Sequence, residues 1–301
     1  MSKNKILVTG GSGMVGKHLK RIIPNAIYIS SKDGDLKDPV YVEWLFSSYT
    51  PTIVIHLAAR VGGIQENISK PAEFFDDNIL INTNVLKMCK IYKVKRFIGM
   101  LSTCAYPDFK HPSTKQFFPL KEDLLLLGPP TLTNWEYAYT KRSMAVQIDA
   151  YNEQYKTKYN YLIPCNLYSE YDNFDNEDKM HFITALLKKV KTSKKTLNLL
   201  GSGIPLRQFM YAGDLARVIK EVLDKDITDS FNVAVSENLT IHNMAHTALK
   251  TLKKDLEIQW SEPGLNGQFR KDVCNKKMLS YIPNFKFTSF KKGIKKVYNK
   301  I

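Results

Sequence analysis

Tyr137 and Lys141 place a phenol and an ammonium four residues apart in the stretch Asn134-Trp135-Glu136-Tyr137-Ala138-Tyr139-Thr140-Lys141-Arg142. On a helix the two side chains lie one above the other on one face. A free phenol releases its proton near pH ~10, and a lysine charge within a few ångströms favours the phenolate and brings proton exchange closer to neutrality. A tyrosine so placed gives a proton to a substrate oxygen or takes one from it. The same spacing recurs at Tyr28–Lys32 and Tyr106–Lys110. Tyr28, however, belongs to the strand-like run Ala26-Ile27-Tyr28-Ile29, and Tyr106 precedes Pro107, which biases it away from helix. Only Tyr137 begins a long helical pattern, in which Tyr137, Met144, Ile148 and Tyr151 share an apolar side. Taken alone, the pair also reads as a surface pair on a helix, so the surrounding elements have to decide.

The first of those elements is a glycine loop. Lys5-Ile6-Leu7-Val8-Thr9-Gly10 reads as a buried parallel strand running into Gly10-Gly11-Ser12-Gly13-Met14-Val15-Gly16, then a helix through Ile23. Glycines at 10, 13 and 16 permit a tight turn, close approach of a pyrophosphate to backbone N–H groups, and close helix–strand contact. The second strand, Ala26–Ile29, ends at Ser30-Ser31-Lys32. NAD sites usually carry an acid near here, roughly 20 residues past the glycines, to hold the ribose 2′-hydroxyl. Two hydroxyls and a cation suit a 2′-phosphate, and so NADP(H). Asp33 and Asp35 follow closely, and Lys32 also reads as an ordinary loop lysine.

Strand and helix signals then alternate. Strands are expected at Thr52–Ala59, Arg96–Ser102 and Tyr159–Pro164. A helix is expected from Pro71 to Tyr92, with Phe74, Ile79, Val85 and Met88 in its apolar pattern. This alternation argues an α/β fold, a Rossmann-type doubly wound parallel sheet, with ligands gathered at the strands' carboxyl ends. Ser102, Thr103 and Cys104 stand at such an end. Beyond Cys165 the pattern loosens: a polar, acidic loop at Tyr171–Lys179, a helix at His181–Val190, a strand at Arg207–Tyr211, a helix at Ala212–Leu223, and a final basic helix at Phe290–Asn299. We expect a dinucleotide-binding domain over 1–166 with 209–236 returning to it, and a smaller interwoven substrate lobe over 167–208 and 237–301.

Composition sets the outer bounds. At 301 residues and 44% hydrophobic, the chain is long enough for a sizeable core. No apolar run approaches the ~20 residues that span a bilayer, so no membrane partner is expected. Lys5 opens directly into a core-like strand and not a secretory signal. The four cysteines, Cys89, Cys104, Cys165 and Cys274, are far apart and show no metal-ligand spacing, which fits a reducing cytoplasmic compartment and no bound metal. The net charge of +15 raises the question of nucleic acid. The lysines are spread along the chain, with clusters only at Lys188–Lys195 and Lys291–Lys300, so a solvated lysine-rich surface is the expected meaning and nucleic acid is not the expected partner.

The glycine loop, Tyr137-x-x-x-Lys141 and the upstream Ser102 resemble the extended short-chain dehydrogenase/reductase family across essentially the whole chain. Within it the chain is similar to the branch that epimerises and reduces GDP-4-keto-6-deoxymannose. The segments His56-Leu57-Ala58-Ala59-Arg60-Val61-Gly62-Gly63, Leu101-Ser102-Thr103-Cys104, Gly128-Pro129-Pro130, Asp172-Asn173-Phe174, Arg207-Gln208-Phe209 and Gly267-Gln268-Phe269 carry that likeness. The resemblance implies NADPH as cofactor, a GDP-sugar substrate and a homodimer built through two long helices near Pro71–Tyr92 and Tyr137–Tyr155. It implies that Cys104 removes protons beside the ketone, that His181 returns one from the other face, that Ser102 holds the carbonyl oxygen, and that Tyr137 with Lys141 serves the reduction. It places the cofactor against Gly10 to Gly16, Ser31, Lys32, Leu57, Ala58, Ala59, Lys141, Pro164, Cys165, Asn166, Leu167 and His181. It places the substrate against Ser102, Thr103, Asn166, Lys189, Leu200, Arg207, Asn266 and Lys271.

Each of these residues has a plainer reading: Cys104 as a small buried residue, His181 as a helix-start residue, Arg207 as an edge-strand cation. Three departures from the family's pattern stand out. Ser169-Glu170 replaces Gly-Pro beside the site, Leu200 replaces a tryptophan expected near the guanine, and Asn266 replaces an aspartate. Two other readings stay open: an NADP-dependent reductase or epimerase of another nucleotide sugar, and a non-catalytic NADP-binding regulator or nucleic-acid binder.

Overall fold

Branched apolar runs favour extended, half- or fully buried backbone, and five such runs in the first 164 residues become strands. A computed structural model of the chain describes residues 4–109, 116–174, 180–261 and 268–301. In chain order its first part is β1 (Ile6–Thr9), α1 (Met14–Ile22), β2 (Ile27–Ile29), α2 (Pro39–Tyr49), β3 (Ile53–His56), α3 (Ile64–Ser69), α4 (Pro71–Ile91), β4 (Arg96–Met100), α5 (Trp135–Tyr155) and β5 (Tyr159–Pro164). The second part is β6 (Asn166–Tyr168), α6 (Phe182–Thr192), β7 (Thr196–Leu200), β8 (Leu206–Arg207), β9 (Phe209–Tyr211), α7 (Ala212–Asp224), β10 (Phe231–Val233), β11 (Leu239–Thr240), α8 (Ile241–Leu252), β12 (Glu257–Ser261), α9 (Lys276–Tyr281) and α10 (Phe290–Tyr298).

The main sheet is six-stranded and parallel throughout, in the order β2-β1-β3-β4-β5-β10. Every residue of β3 and β4 is buried, as expected for strands covered on both faces. From β1 the chain first steps one way to β2, then back past β1 to β3. The carboxyl ends of β1 and β3 therefore diverge and open the crevice where doubly wound sheets bind ligands. Right-handed crossovers that step in opposite directions put α1 on one face and α4 and α5 on the other. α1 packs against α7, and α4 packs against α2 and α5.

α2 is an element that the sequence reading does not anticipate. Its apolar residues surround it: Val42, Leu45 and Phe46 are fully buried, while Val40 is 72% and Trp44 53% exposed. With no clean stripe, its signature is at its ends. Asp38 caps it by accepting from the Val40 N–H at 2.9 Å, and Pro39 supplies a preset first turn.

A second apolar centre is formed by Ile183, Leu186, Leu187 and Val190 of α6, Leu197 and Leu199 of β7, Met244 and Leu249 of α8, and Ile294 and Val297 of α10. Each such fully buried side chain contributes ~1.5–3 kcal/mol. Residues 212–234 join the main core through Leu215, Val218, Ile219, Val222, Phe231 and Val233. Val273, Met278 and Ile282 pack there too, although the sequence reading groups that stretch with the substrate lobe. The single strand expected over Arg207–Tyr211 is two. β8 pairs antiparallel with β11, and β9 pairs parallel with β6. The break is Gln208, whose buried amide donates to the carbonyls of Val235 at 2.8 Å and Val273 at 3.1 Å and accepts from the Val273 N–H at 2.9 Å. Among the described residues no helix is long and apolar enough to cross a membrane.

Candidate active site

β4 ends at Met100, and the chain then turns through Ser102. Its hydroxyl accepts from the Cys104 N–H at 3.2 Å and so caps a short turn over Thr103–Ala105. That turn lies against the start of α5, which presents Tyr137 and, one turn on, Lys141. The Lys141 Nζ stands 5.6 Å from the centre of the Tyr137 ring and donates to the Met100 carbonyl at 2.8 Å. Lys141 is only 3% exposed, and burial pulls its pKa down to about 8.

The electrostatics of Tyr137 correct the expectation drawn from spacing. Burial, with the Cys104 thiolate adding to it, raises the phenol's pKa, and a hydrogen bond with Ser102 only partly offsets this. The ammonium of Lys141 is engaged with the Met100 carbonyl. Tyr137 is therefore held as a phenol, suited to giving a proton.

Cys104 behaves in the opposite sense. Burial pushes its thiol up, but the charge of Lys271 and hydrogen bonds with Ser102, Lys271 and Asn134 outweigh that, and the net shift is downward. The Lys271 ammonium donates to the Cys104 sulfur at 3.2 Å. Arg207 feels the same sulfur. Burial lowers its pKa, and the Cys104 charge partly restores it. Ser102, Cys104, Asn134, Tyr137, Arg207 and Lys271 thus form one connected group.

His181 occupies the N-cap position of α6. Its Nδ1 lies 2.8 Å from Asp172 Oδ1, and the Thr184 hydroxyl donates to the other oxygen of that carboxylate. Asp172 is buried, yet its bonds to His181 and Thr184 hold its carboxyl below the usual range. The imidazole edge remains accessible, with a side chain 41% exposed against 4% for Asp172. Among the described residues no hydrogen bond joins His181 to Cys104 or Tyr137.

At the crevice the loop between β1 and α1 has the shape of an anion cradle. Gly10 has φ +71°, and a Cβ there would sit 2.8 Å from the Ala58 nitrogen. A Cβ on Gly16 would sit 2.6 Å from the Gly11 carbonyl oxygen. α1 starts after Gly13 with no side-chain cap and no acid in its first turn, so no side chain of that turn offsets the positive end of its dipole. After β2, the Asp33 carboxylate folds back to accept from the Ser30 N–H at 2.7 Å and the Ser30 hydroxyl at 2.8 Å. Those bonds lower its pKa and occupy the acid, while Ser31 and Lys32 are exposed. Pro164 and Cys165 are buried at the carboxyl end of β5, and Asn166 donates to the Gln208 carbonyl at 3.0 Å.

Residues 6–234 match the NAD dependent epimerase/dehydratase family. The chain belongs to that family. The GDP-L-fucose synthase of Dictyostelium discoideum is 36% identical over 98% of this chain and 94% of that protein. The GDP-L-colitose synthase of Yersinia pseudotuberculosis is 34% identical over 79% of this chain and 78% of that one. In three dimensions, the GDP-L-fucose synthetase from Naegleria fowleri bound to NADP superposes with a TM-score of 0.86 at 32% identity, covering 100% of this chain and 93% of that chain.

Within this epimerase/dehydratase frame the remaining expected residues can be placed. Leu57, Ala58 and Ala59 follow β3 and are half-buried, and the Ala58 N–H donates to the Thr9 hydroxyl at 3.2 Å. Thr103 is 2% exposed. Lys189 is exposed on α6, its ammonium on the Asn198 carbonyl at 3.1 Å. Leu200 ends β7 and is 78% exposed. Asn266 lies outside the described residues.

Three features were not read as working parts in the sequence. Asp172 appears there only within a motif, yet it holds His181. Lys271 appears there only as a substrate contact, yet it touches Cys104. His56 is a motif letter, yet its Nδ1 lies 2.8 Å from the Thr9 hydroxyl and its Nε2 3.1 Å from the Asn82 amide oxygen. Burial and the nearby Lys141 charge pull His56 to about 3, against a small opposing effect of Asn82, so it stays neutral. As a neutral ring donating through Nε2 and accepting at Nδ1, it ties β1, β3 and α4 together behind the glycine loop.

Proposed function

We propose that this chain is an NADPH-dependent enzyme that epimerises GDP-4-keto-6-deoxy-D-mannose at C3 and C5 and reduces it at C4, giving GDP-L-fucose. The observation that carries this reading is the joining, through Ser102, of a thiol held toward its anion and a phenol held in its protonated form. A plain reductase needs only the phenol. Epimerisation beside a ketone needs a base as well, and the Cys104 thiolate is one.

The glycine loop and the open start of α1 fit a pyrophosphate, and Ser31 with Lys32, beside an already occupied Asp33, fits a 2′-phosphate. NADPH when bound supplies hydride to C4. The chain's own residues do the rest. The 4-keto group acidifies the hydrogens at C3 and C5, and Cys104 takes each proton. Ser102 holds the ketone oxygen as charge gathers on it, and His181, its ring fixed by Asp172, returns a proton from the opposite face. Tyr137 then gives its proton to the C4 oxygen, and the buried Lys141 supports the phenolate that forms.

Arg207 and Lys189 supply positive charge toward a diphosphate, and Arg207 can present its fork through two hydrogen bonds. Leu200 offers no flat ring to a base, so it bears on base affinity more than on reaction type. We further propose a division into a cofactor domain over 1–166 with 209–236 and a substrate lobe over the remainder, except that Val273, Met278 and Ile282 pack with the cofactor domain's core. The proposed assembly is a cytoplasmic homodimer through α4 and α5, which a monomeric mass by light scattering would contradict. To test the reaction, the pure protein is mixed with NADPH and the GDP-4-keto sugar, and loss of nicotinamide absorbance is followed with product stereochemistry resolved. Equimolar NADPH loss and GDP-L-fucose support the proposal. A C4-reduced product with C3 and C5 unchanged overturns it.

A further inference from the structure

Lys271 stands 167 residues from Cys104 in the chain, outside every local motif around the thiol, yet its ammonium donates to the sulfur at 3.2 Å. We infer that Lys271 is the positioning residue that holds Cys104 as a thiolate before substrate arrives and restores it between the two proton abstractions. This rests on the reading of Cys104 as the base.

The backbone on both sides of Lys271 is pinned. Arg270 bridges to Leu206 and Val273 to Leu120. The Leu120 N–H donates to the Asp272 carbonyl at 2.9 Å, and the Cys274 N–H donates to the Leu120 carbonyl at 2.8 Å. Gln208 accepts from the Val273 N–H at 2.9 Å. The acid next in sequence is already matched: Arg270 grips Asp272 with two bonds, from Nε at 2.5 Å and Nη2 at 3.0 Å. That leaves the Lys271 ammonium to the sulfur.

Among the described residues, the other groups that act on the sulfur are the Ser102 hydroxyl, the Asn134 amide, the Tyr137 phenol and the Arg207 guanidinium. Both cations favour the thiolate, the hydroxyl and amide donate to it, and the phenol is uncharged at neutral pH. None is a carboxylate. A cation in contact with a half-buried sulfur is the setting that makes cysteines reactive.

In the first abstraction the C3–H bond breaks. Its electron pair becomes the enolate double bond, the carbonyl pair moves onto O4, and the proton forms an S–H bond on Cys104. Lys271 keeps its own protons. His181 returns a proton to C3 from the opposite face, the enolate pair forms the new C3–H bond and the O4 pair re-forms the carbonyl. The sulfur is now neutral and the adjacent ammonium has lost its anion, which favours release of the thiol proton to water. The thiolate is then ready for C5.

The test uses the full-length protein without substrate. Iodoacetamide alkylation of Cys104, resolved by peptide mass spectrometry, is followed against pH in the wild type and in Lys271→Met, Lys271→Gln and Lys271→Arg. The midpoint is the readout because the intrinsic nucleophilicity of a thiolate rises with its pKa and partly hides changes in rate. Cys274, in the same pinned segment, reports whether the local fold survives. The wild-type midpoint should lie below the ~8.5 of a free cysteine. Lys271→Met and Lys271→Gln should each raise it by about one unit or more, while Lys271→Arg keeps it low. The Gln variant retains a donor without charge, so a shift there assigns the effect to charge. A wild-type midpoint in either neutral variant, with Cys274 alkylation unchanged, overturns the pairing. The measurement involves no sugar, so it separates the two readings. A shifted midpoint without exchange at C3 or C5 of the GDP-4-keto sugar upholds the pairing and sinks the proposed reaction.

Discussion

The site sets two lysines beside two acids, and the pairs come out with opposite signs. At the start of α5, Lys141 lies over Tyr137 but is engaged with the Met100 carbonyl. Burial decides there: the lysine falls to about 8 and the phenol rises. In the same group Lys271, 167 residues from Cys104 in the chain, is in contact with the Cys104 sulfur, and charge overcomes burial. Proximity in sequence is therefore a poor guide to which acid a cation activates, since contact decides. In the proposed reaction this outcome would divide the labour between a protonated donor for a reduced oxygen and an ionised base for a carbon acid.

The largest expected effect comes from removing the donor. Tyr137→Phe should lower NADPH oxidation by about 10²- to 10⁴-fold, the usual contribution of a positioned general acid, as read from nicotinamide absorbance at saturating substrate. A loss below tenfold would mean that the buried phenol is a packing residue. Asp172→Asn should cost roughly tenfold to a hundredfold in kcat, because the bond that fixes His181 has a charged partner. It should leave the Cys104 alkylation midpoint where it is, and a shift of that midpoint would mean that the two halves of the site are coupled.

Lys32→Ala should weaken NADPH by ~1–3 kcal/mol and leave NADH nearly unchanged. Equal loss for both cofactors in binding titrations would remove the 2′-phosphate from the account. The smallest effect concerns the buried ammonium. Lys141 has a folded pKa of about 8, below its value of ~10.4 in an unfolded chain, so the folded state binds fewer protons between those limits. Its burial is costly below pH 8, and that cost is relieved as pH rises through the window. Lys141→Met should therefore raise the denaturation midpoint of the cofactor-free protein below pH 8, with the gain fading toward pH ~10.4. A gain that grows with pH would reverse the sign assigned to this lysine.

The first five strands of the central sheet were legible because they are continuous apolar runs, and Tyr159–Pro164 begins and ends where its composition does, whereas the short β10, interrupted by Asn232, was not read. Tyr137 and Lys141 were legible because a helix turns four-residue spacing into proximity. α2 escaped because its apolar residues are not confined to one face. The pairing of β7 with β12, Thr196 to Glu257 and onward, is set by distant segments with no local signature. Lys271 and Cys104 met for the same reason, through a bridge of Leu206 to Arg270 that no periodicity announces. Asp172 falls in a polar stretch that reads as a surface loop. Its side chain is turned inward by His181 and Thr184, nine and twelve residues further on.

The claim that base and donor are separate is tested most directly by deuterium. Cys104→Ser and Tyr137→Phe are each incubated with the GDP-4-keto sugar in D2O, with and without NADPH, and label at C3 and C5 is read by mass spectrometry beside reduction at C4. The account predicts that Cys104→Ser takes up no deuterium at C3 or C5 yet retains some direct C4 reduction. Tyr137→Phe should exchange both positions and fail to reduce. Deuterium uptake by Cys104→Ser at the wild-type rate, or loss of exchange and reduction together in Tyr137→Phe, would contradict it.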